Sequence, residues 1–300
     1  MKVKEKILIT GFHGSLSKQL SKIIDYKNYE VFYLTTKKRI CSNNIYYWNF
    51  KKNHIDSKAL INTSHIIHLA GFNMSNNWSK KNKQLMIDSR VKTAELIYRQ
   101  CQTLKVNLKT FISASAMGYY GFYQDGLKNE EHCPTEDWVS KLCVRWEKTA
   151  NKFEIIGARV CKLRFALILD KKSKIIQKTC LGFKFGIGII LGNGKQKFPW
   201  IHIKDATQFI KHSLENQTIQ GVFNVASTEN ISYYDFIKSM QTYKFPTSIL
   251  IYIPKTIINL IMPKQKALIF NNINLCTKKM KKTKFKWKYK TICETIKQEF

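Results

Sequence analysis

The first stretch of this chain whose residue types and spacing suggest chemistry is Thr10-Gly11-Phe12-His13-Gly14-Ser15-Leu16-Ser17. A short β-branched run, Lys6–Thr10, leads into it, and apolar residues at helical spacing (Leu16, Leu20, Ile23 and Ile24) follow it. Between a strand and a helix, Gly11 permits a tight turn and Gly14 lets the backbone come close to a pyrophosphate. The helix start then supplies free N–H groups and a positive dipole end. The third glycine usual in such turns is Ser17 here, small enough for close helix–strand packing. A turn of this kind often binds nothing when it stands alone. With a strand before it and a helix after it, Thr10 through Leu16 read as the cradle of a dinucleotide.

The end of the second strand narrows that reading. Enzymes that use NAD carry an Asp or Glu there to accept hydrogen bonds from the ribose hydroxyls. This chain reads Leu34-Thr35-Thr36-Lys37-Lys38-Arg39, with no carboxylate and three cations. A 2′-phosphate suits that cluster, which favours NADP(H) over NAD(H) and places Thr36 and Lys37 beside the cofactor.

The elements that must position these residues alternate. Strands are expected at Lys6–Thr10, Glu30–Thr35, Tyr46–Trp48, His65–Ala70, Lys109–Ser115 and Ala158–Phe165. A weakly helical stretch falls at Ile55–Ile61, a long one at Ser79–Leu104 and another at Asp137–Phe153. Strand and helix in turn give a parallel sheet wrapped on both faces. Beyond residue 170 the order breaks. Helices are expected near Ile175–Phe185, Asp205–Glu215 and Tyr233–Met240, strands at Trp200–Ile203 and Val222–Ala226, and a loop at Gly186–Gly194. The expected class is α/β, a Rossmann-like doubly wound parallel sheet with a smaller C-terminal α+β region. The expected blocks are 1–170 for the dinucleotide, 171–245 for the substrate side and 246–300 as a small C-terminal domain.

Composition excludes several classes. A hydrophobic content of 44% over 300 residues suits a packed globular chain. No apolar run approaches the ~18–20 residues of a membrane span. Ile7–Ile9 is too short an apolar stretch for a signal peptide, and the eight cysteines form no C-x-x-C pair, so reduced thiols and a cytoplasmic location are expected. The seven histidines show no metal-binding spacing. The net charge of +31 is almost all lysine, since arginine stands only at positions 39, 90, 99, 145, 159 and 164. That slant fits an A+T-rich coding sequence better than selection for phosphate-gripping guanidinium forks, so no nucleic-acid partner is expected. In Lys284–Lys290, Phe285, Trp287 and Tyr289 alternate with lysines. That period of two predicts a strand with its aromatics packed inward.

Further segments resemble the extended short-chain dehydrogenase/reductase superfamily. Within it they resemble the atypical NAD(P)-dependent epimerase/dehydratase-like branch of "epimerase family proteins", which carries an extra C-terminal domain of unknown function. His68-Leu69-Ala70-Gly71 ends the fourth strand, and Trp78 through Asp88-Ser89-Arg90-Val91 is similar to the branch's W…K…I-x-x-S-R-V helix. Ser113-Ala114-Ser115-Ala116-Met117-Gly118-Tyr119-Tyr120-Gly121 is close to S-A-x-G-Y-Y-G. Leu191-Gly192-Asn193-Gly194-Lys195-Gln196 and Trp200-Ile201-His202-Ile203-Lys204-Asp205 resemble the substrate-side G-x-G-x-Q…W-I-H-I-x-D element. The resemblance covers nearly the whole chain.

The resemblance implies that Leu69, Ala70, Gly71 and Arg90 adjoin the cofactor, and that Arg164, Gln196 and His202 shape the substrate site. It also implies that a homodimer through helices flanking the sheet is open to the chain. Active members of the superfamily transfer protons with a Tyr-x-x-x-Lys pair. Registering Glu147 on the superfamily's K-x-x-x-E puts that pair at Val139 and Cys143, which cannot do this work. Ser115 remains to polarise a carbonyl, and Tyr119 or Tyr120 either donates a proton or lines the cleft. Two functions stand: an NAD(P)-dependent epimerase/dehydratase-like oxidoreductase acting on a small molecule, or a non-catalytic NADP(H)-binding regulator or redox sensor.

Overall fold

The computed structural model describes residues 3–121, 125–261, 270 and 272–300. Its sheet starts from the most apolar strand. In β1 (Glu5–Thr10) the last four residues are all buried, as expected of a strand covered on both faces. It pairs in parallel with β2 (Tyr29–Thr35) on one side and with β5 (Thr63–His68) on the other. Beyond β2 lie β3 (Ile45–Asn49), parallel, and the two-residue β4 (His54–Ile55), antiparallel. Beyond β5 lies β6 (Thr110–Ala116), parallel, then β8 (Arg159–Phe165) and β12 (Gly221–Val225). The eight strands run β12-β8-β6-β5-β1-β2-β3-β4. The order reverses at β1, and in such sheets the crevice at that switch point is where a ligand sits.

The chain forms two compact units. One comprises Met1–Tyr119, Lys141–Arg164 and Thr207–Phe223; the other comprises Tyr120–Ser140, Phe165–Ala206 and Asn224–Phe300. Each is assembled from three stretches of sequence. The first unit packs Leu8, Leu34, Trp48, Ile66, Ile97, Phe111 and Phe153 into one core, with the rings of Phe111 and Phe153 stacked at 3.6 Å. The second packs Leu169, Ile176, Phe183, Ile190, Trp200, Phe236, Tyr289 and Ile296.

Four local expectations are corrected. The helix expected over Ser79–Leu104 is two, α2 (Lys80–Asp88) and α3 (Val91–Thr103). The break at Ser89-Arg90 is held from outside, for the Ser89 hydroxyl accepts the Phe72 N–H at 2.8 Å. In place of weak helix at Ile55–Ile61 stand β4 and a single 3-10 turn, Ser57–Ala59, capped by Asp56. The loop expected at Gly186–Gly194 contains β10 (Ile187–Leu191), which pairs in parallel with β13 (Ile249–Ile253). Its partner lies some sixty residues away, so no local pattern reveals it.

The segment Phe285–Tyr289 is not a strand, although its alternation of burial is as expected. Its N–H groups go to a side chain: Asp205 accepts from Lys288 at 2.9 Å and from Tyr289 at 2.8 Å. Trp287 adds a hydrogen bond from its indole to the Ala226 carbonyl at 2.9 Å. Among the described residues no helix is long and apolar enough to cross a membrane.

Candidate functional site

The turn after β1 is shaped by close backbone approach. Gly11 sits at φ +78°, and a Cβ there would lie 2.9 Å from the Leu69 carbonyl oxygen. Gly14 closes the turn through its N–H to Gly11 O at 2.7 Å and caps α1 (Ser15–Leu20), whose first turn holds Ser15 and Leu16. Ser17, at the third-glycine position, is buried. Thr10 ties the turn to the next strand, its hydroxyl oxygen accepting the N–H groups of Leu69 and Ala70, each at 3.0 Å.

A cavity of about 400 Å³ opens at this switch point, within the first unit. Gly11, Phe12, His13, Gly14, Thr36, Leu69, Ala70 and Gly71 line it, so residues from three separated stretches of sequence meet there. Lys37 stands just outside, exposed at the end of β2. Burial first, then its charge and that of Lys18, push the His13 imidazole below its ordinary pKa. Three further residues of the wall had no signal of their own in the sequence: Trp48, Phe50 and Lys51, at and just after the end of β3. The remaining walls are apolar or hydroxyl-bearing, with no carboxylate among the described lining residues. Two glycines that a side chain would crowd, room at the switch point and a cationic rim together fit a dinucleotide.

Arg90 supports this wall from behind. Its guanidinium donates to Phe72 O at 3.1 Å and to Met86 O at 2.9 Å, and it lies 5.0 Å from the Trp146 ring centroid. Gly71 rests on it, because a Cβ at Gly71 would come within 2.9 Å of Cζ. Burial pushes Arg90 down to about 10, which leaves it charged at neutral pH.

At the end of β6 the three candidate catalytic residues part company. Ser115 donates its hydroxyl proton to Glu147 Oε1 at 2.6 Å. Glu147, on α4 (Trp138–Ile155), is gripped by Arg164 through Nε at 2.8 Å and Nη2 at 2.8 Å. All three side chains are buried. The Arg164 guanidinium lies flat against Tyr119, 3.3 Å from the ring centroid, and Tyr119 is half-buried. In the second unit Tyr120 is buried and donates to Asn224 Oδ1 at 2.7 Å. Val139 and Cys143 are both buried.

The remaining candidates lie in the second unit. Gln196 is buried and borders a separate cavity. His202 is buried beside Tyr289, its ring centroid 4.0 Å away, and burial pushes it down to about 4. Among the described residues no group of three His, Cys, Asp or Glu is placed to hold a metal ion.

The family model for the NAD dependent epimerase/dehydratase family matches residues 7–226. The chain belongs to that family. This epimerase-family chain is 27% identical over 295 residues to an epimerase family protein of Staphylococcus aureus, covering 96% of each. It is 26% identical over 287 residues to one of Staphylococcus saprophyticus, covering 94% of this chain and 95% of that protein. In fold it is similar to the human epimerase family protein SDR39U1, crystallised with NADPH, at a TM-score of 0.84, 19% identity and 98% of both chains. It is also similar to the UDP-glucuronic acid 4-epimerase of Bacillus cereus, crystallised with NAD, at a TM-score of 0.76 and 16% identity, covering 98% of this chain and 95% of that one.

Proposed function

We propose that the chain is an NADP(H)-dependent oxidoreductase of the epimerase/dehydratase type acting on a small-molecule substrate. The observation that carries this reading is the cationic rim of the first cavity. Lys51 reaches it from the turn just after β3 and Lys37 stands at the end of β2, where an NAD enzyme would place a carboxylate. The NADPH in the human relative supports the reading, and the NAD in the Bacillus cereus enzyme is the alternative.

Gly11 and Gly14 would hold the pyrophosphate, Leu69–Gly71 with Phe50 the adenosine, and Thr36, Lys37 and Lys51 the 2′-phosphate. Bound there, the nicotinamide supplies a hydride donor or acceptor. Ser115 does not serve as a free proton donor, because its O–H is committed to the Glu147 carboxylate. It accepts instead, and Arg164 and Glu147 hold it in place. Tyr120 is likewise committed, to Asn224. Tyr119, half-buried and backed by the Arg164 cation, is the residue assigned to move a proton to or from the substrate.

One observation favours a second reading. With Val139 and Cys143 at the Tyr-x-x-x-Lys positions and Ser115 held by Glu147, a chain that binds NADP(H) without turnover would also have this geometry.

The test is a thermal-shift titration of the full chain with NADPH, NADP⁺, NADH and NAD⁺, alongside Gly14→Asp. A ligand at 100 times its Kd adds about 2.7 kcal/mol. Stabilisation by the phosphorylated pair, lost in Gly14→Asp, is expected; equal stabilisation by NADH overturns the NADP assignment, and no shift with any of the four overturns the cofactor site. Turnover of NADPH against a panel of carbonyl compounds, reduced at least a hundredfold in Tyr119→Phe, separates the enzyme from the silent binder.

A further inference from the structure

We infer that one face of the second unit docks the chain on the surface of an anionic lipid bilayer, without spanning it. Two features coincide on that face. Apolar side chains are open to solvent, and the segments that carry them hold lysines but no carboxylate.

Strand register builds the apolar face. β10 and β13 pair Ile187 with Ile249 and Ile189 with Ile251. Side chains alternate along a strand, so these four isoleucines share one face of the two-stranded sheet. The other face turns inward. Ile190 and Leu250 belong to the core of the second unit, and a Cβ at Gly188 would lie 2.5 Å from the Phe183 ring. α5 (Lys174–Lys184) runs beside the outer face, where a Cβ at Gly182 would come 3.9 Å from Ile189 Cδ1. It adds Leu181 and, one residue past its end, Phe185. Ile249 is 63% exposed, Leu181 56% and Phe185 77%. Soluble chains seldom leave a large apolar patch open unless it meets a partner or a membrane.

Charge selects the partner. Residues 171–204 and 236–293 contain every residue of the patch and no Asp or Glu, so all 20 acidic residues of the chain lie elsewhere. Lysines are kept there, among them Lys174, Lys178 and Lys184 on α5. A coding bias toward lysine raises the number of cations, but it does not clear one region of acids. Two copies meeting on this face would bring like charges together. An anionic bilayer suits both features: its headgroups attract the lysines, and the boundary of its acyl chains takes up the isoleucines, Leu181 and Phe185.

The test is co-sedimentation of the full chain with vesicles of phosphatidylcholine alone and of phosphatidylcholine with an equal part of phosphatidylglycerol. Binding to the anionic vesicles is expected to be at least tenfold tighter than to the neutral ones. Leu181→Ser, Phe185→Ser, Ile249→Thr removes the most exposed side chains and should weaken it at least tenfold with an unchanged melting temperature. Val3→Ser, Ile155→Ser, equally exposed in the first unit, leaves it within twofold. Because the whole chain is cationic, a local charge control is needed. Lys178→Glu, Lys184→Glu should weaken binding at least fivefold more than Lys22→Glu, Lys27→Glu, an exposed pair in the first unit. Equal binding to both vesicles, no binding to either, or equal effects of the two lysine pairs overturns the inference. So does a dimer in sedimentation velocity, without lipid, that the triple variant dissociates, for the face then belongs to a second copy. None of the substituted residues borders the first cavity, so the triple variant gives the parent's thermal shift with NADPH and the two assignments are read separately.

Discussion

The hydroxyl of Thr10 lies 3.0 Å from Nδ1 of His68, and the pair fixes which imidazole nitrogen carries the proton. Thr10 Oγ1 already accepts two amides, from Leu69 and Ala70, so its own proton goes to His68 Nδ1. Nε2 then carries the hydrogen and faces Arg90 O at 3.3 Å and Thr93 Oγ1 at 3.3 Å. One threonine thereby joins the end of β1, the end of β5 and the start of α3, the elements around the first cavity.

Thr10→Val keeps the shape and removes the acceptor of both amides. Each buried N–H left unpaired costs about 1–3 kcal/mol. The chain should lose stability on that order in urea unfolding. Its NADPH affinity should fall about tenfold, because Leu69 and Ala70 are no longer held against the cavity.

Two buried histidines set an acid limit. Burial pushes both His68 and His202 from 6.5 down to about 4; at His68 the hydrogen bond to the Arg90 carbonyl opposes it and the Arg90 charge adds to it, and at His202 Glu299 and Asp170 oppose it while Lys204 and Lys288 add to it. Because the folded values lie below the unfolded ones, the unfolded chain takes up protons first as pH falls. Stability from these groups is present above about 6.5 and is lost between there and about 4, at roughly 1.4 kcal/mol per pH unit for each histidine. Urea midpoints at pH 7.5, 5.5 and 4.5 read this slope, and His68→Gln should flatten it by about half.

The Ser115, Glu147 and Arg164 cluster separates structure from chemistry. Ser115→Ala removes a hydrogen bond to a charged group and should cost about 2 kcal/mol. Glu147→Ala removes the carboxylate that faces the buried Arg164 guanidinium, and should cost about 3–5 kcal/mol. Titration of Ser115→Ala with NADPH should give a Kd within twofold of the parent, since the hydroxyl points to Glu147.

Lys51 is the cofactor-specificity prediction. Lys51→Glu should weaken NADPH at least tenfold, about 1.4 kcal/mol. NADH should change by less than twofold, because the reversed charge meets only the 2′-phosphate. Parallel fluorescence titrations with both nucleotides check this, and equal weakening would place Lys51 elsewhere.

Much of the fold was legible because the signal was local. Ile7–Ile9 form an unbroken apolar run within Lys6–Thr10, as a central parallel strand requires, and Gly11 and Gly14 punctuate the turn that follows. The inward aromatics at Phe285, Trp287 and Tyr289 were legible too, since alternation of apolar and charged residues survives whether or not a strand forms. Within the site, Thr36 and Leu69–Gly71 could be placed because they end strands.

What the sequence by itself determined is thus the α/β class, the glycine turn and the absence of a carboxylate after the second strand, all carried by neighbours in the chain. Tertiary structure alone decided that Lys51 joins the first cavity and that Ser115 is bound by Glu147, itself gripped by Arg164, 32 and 49 residues further along the sequence. It also decided that Asp205 supplies the acceptors a strand partner would have given Lys288 and Tyr289. Each of these is a hydrogen bond or a shared wall between residues far apart in the chain. Hydrophobic periodicity records which residues are buried, but it carries no information on which buried polar group meets which.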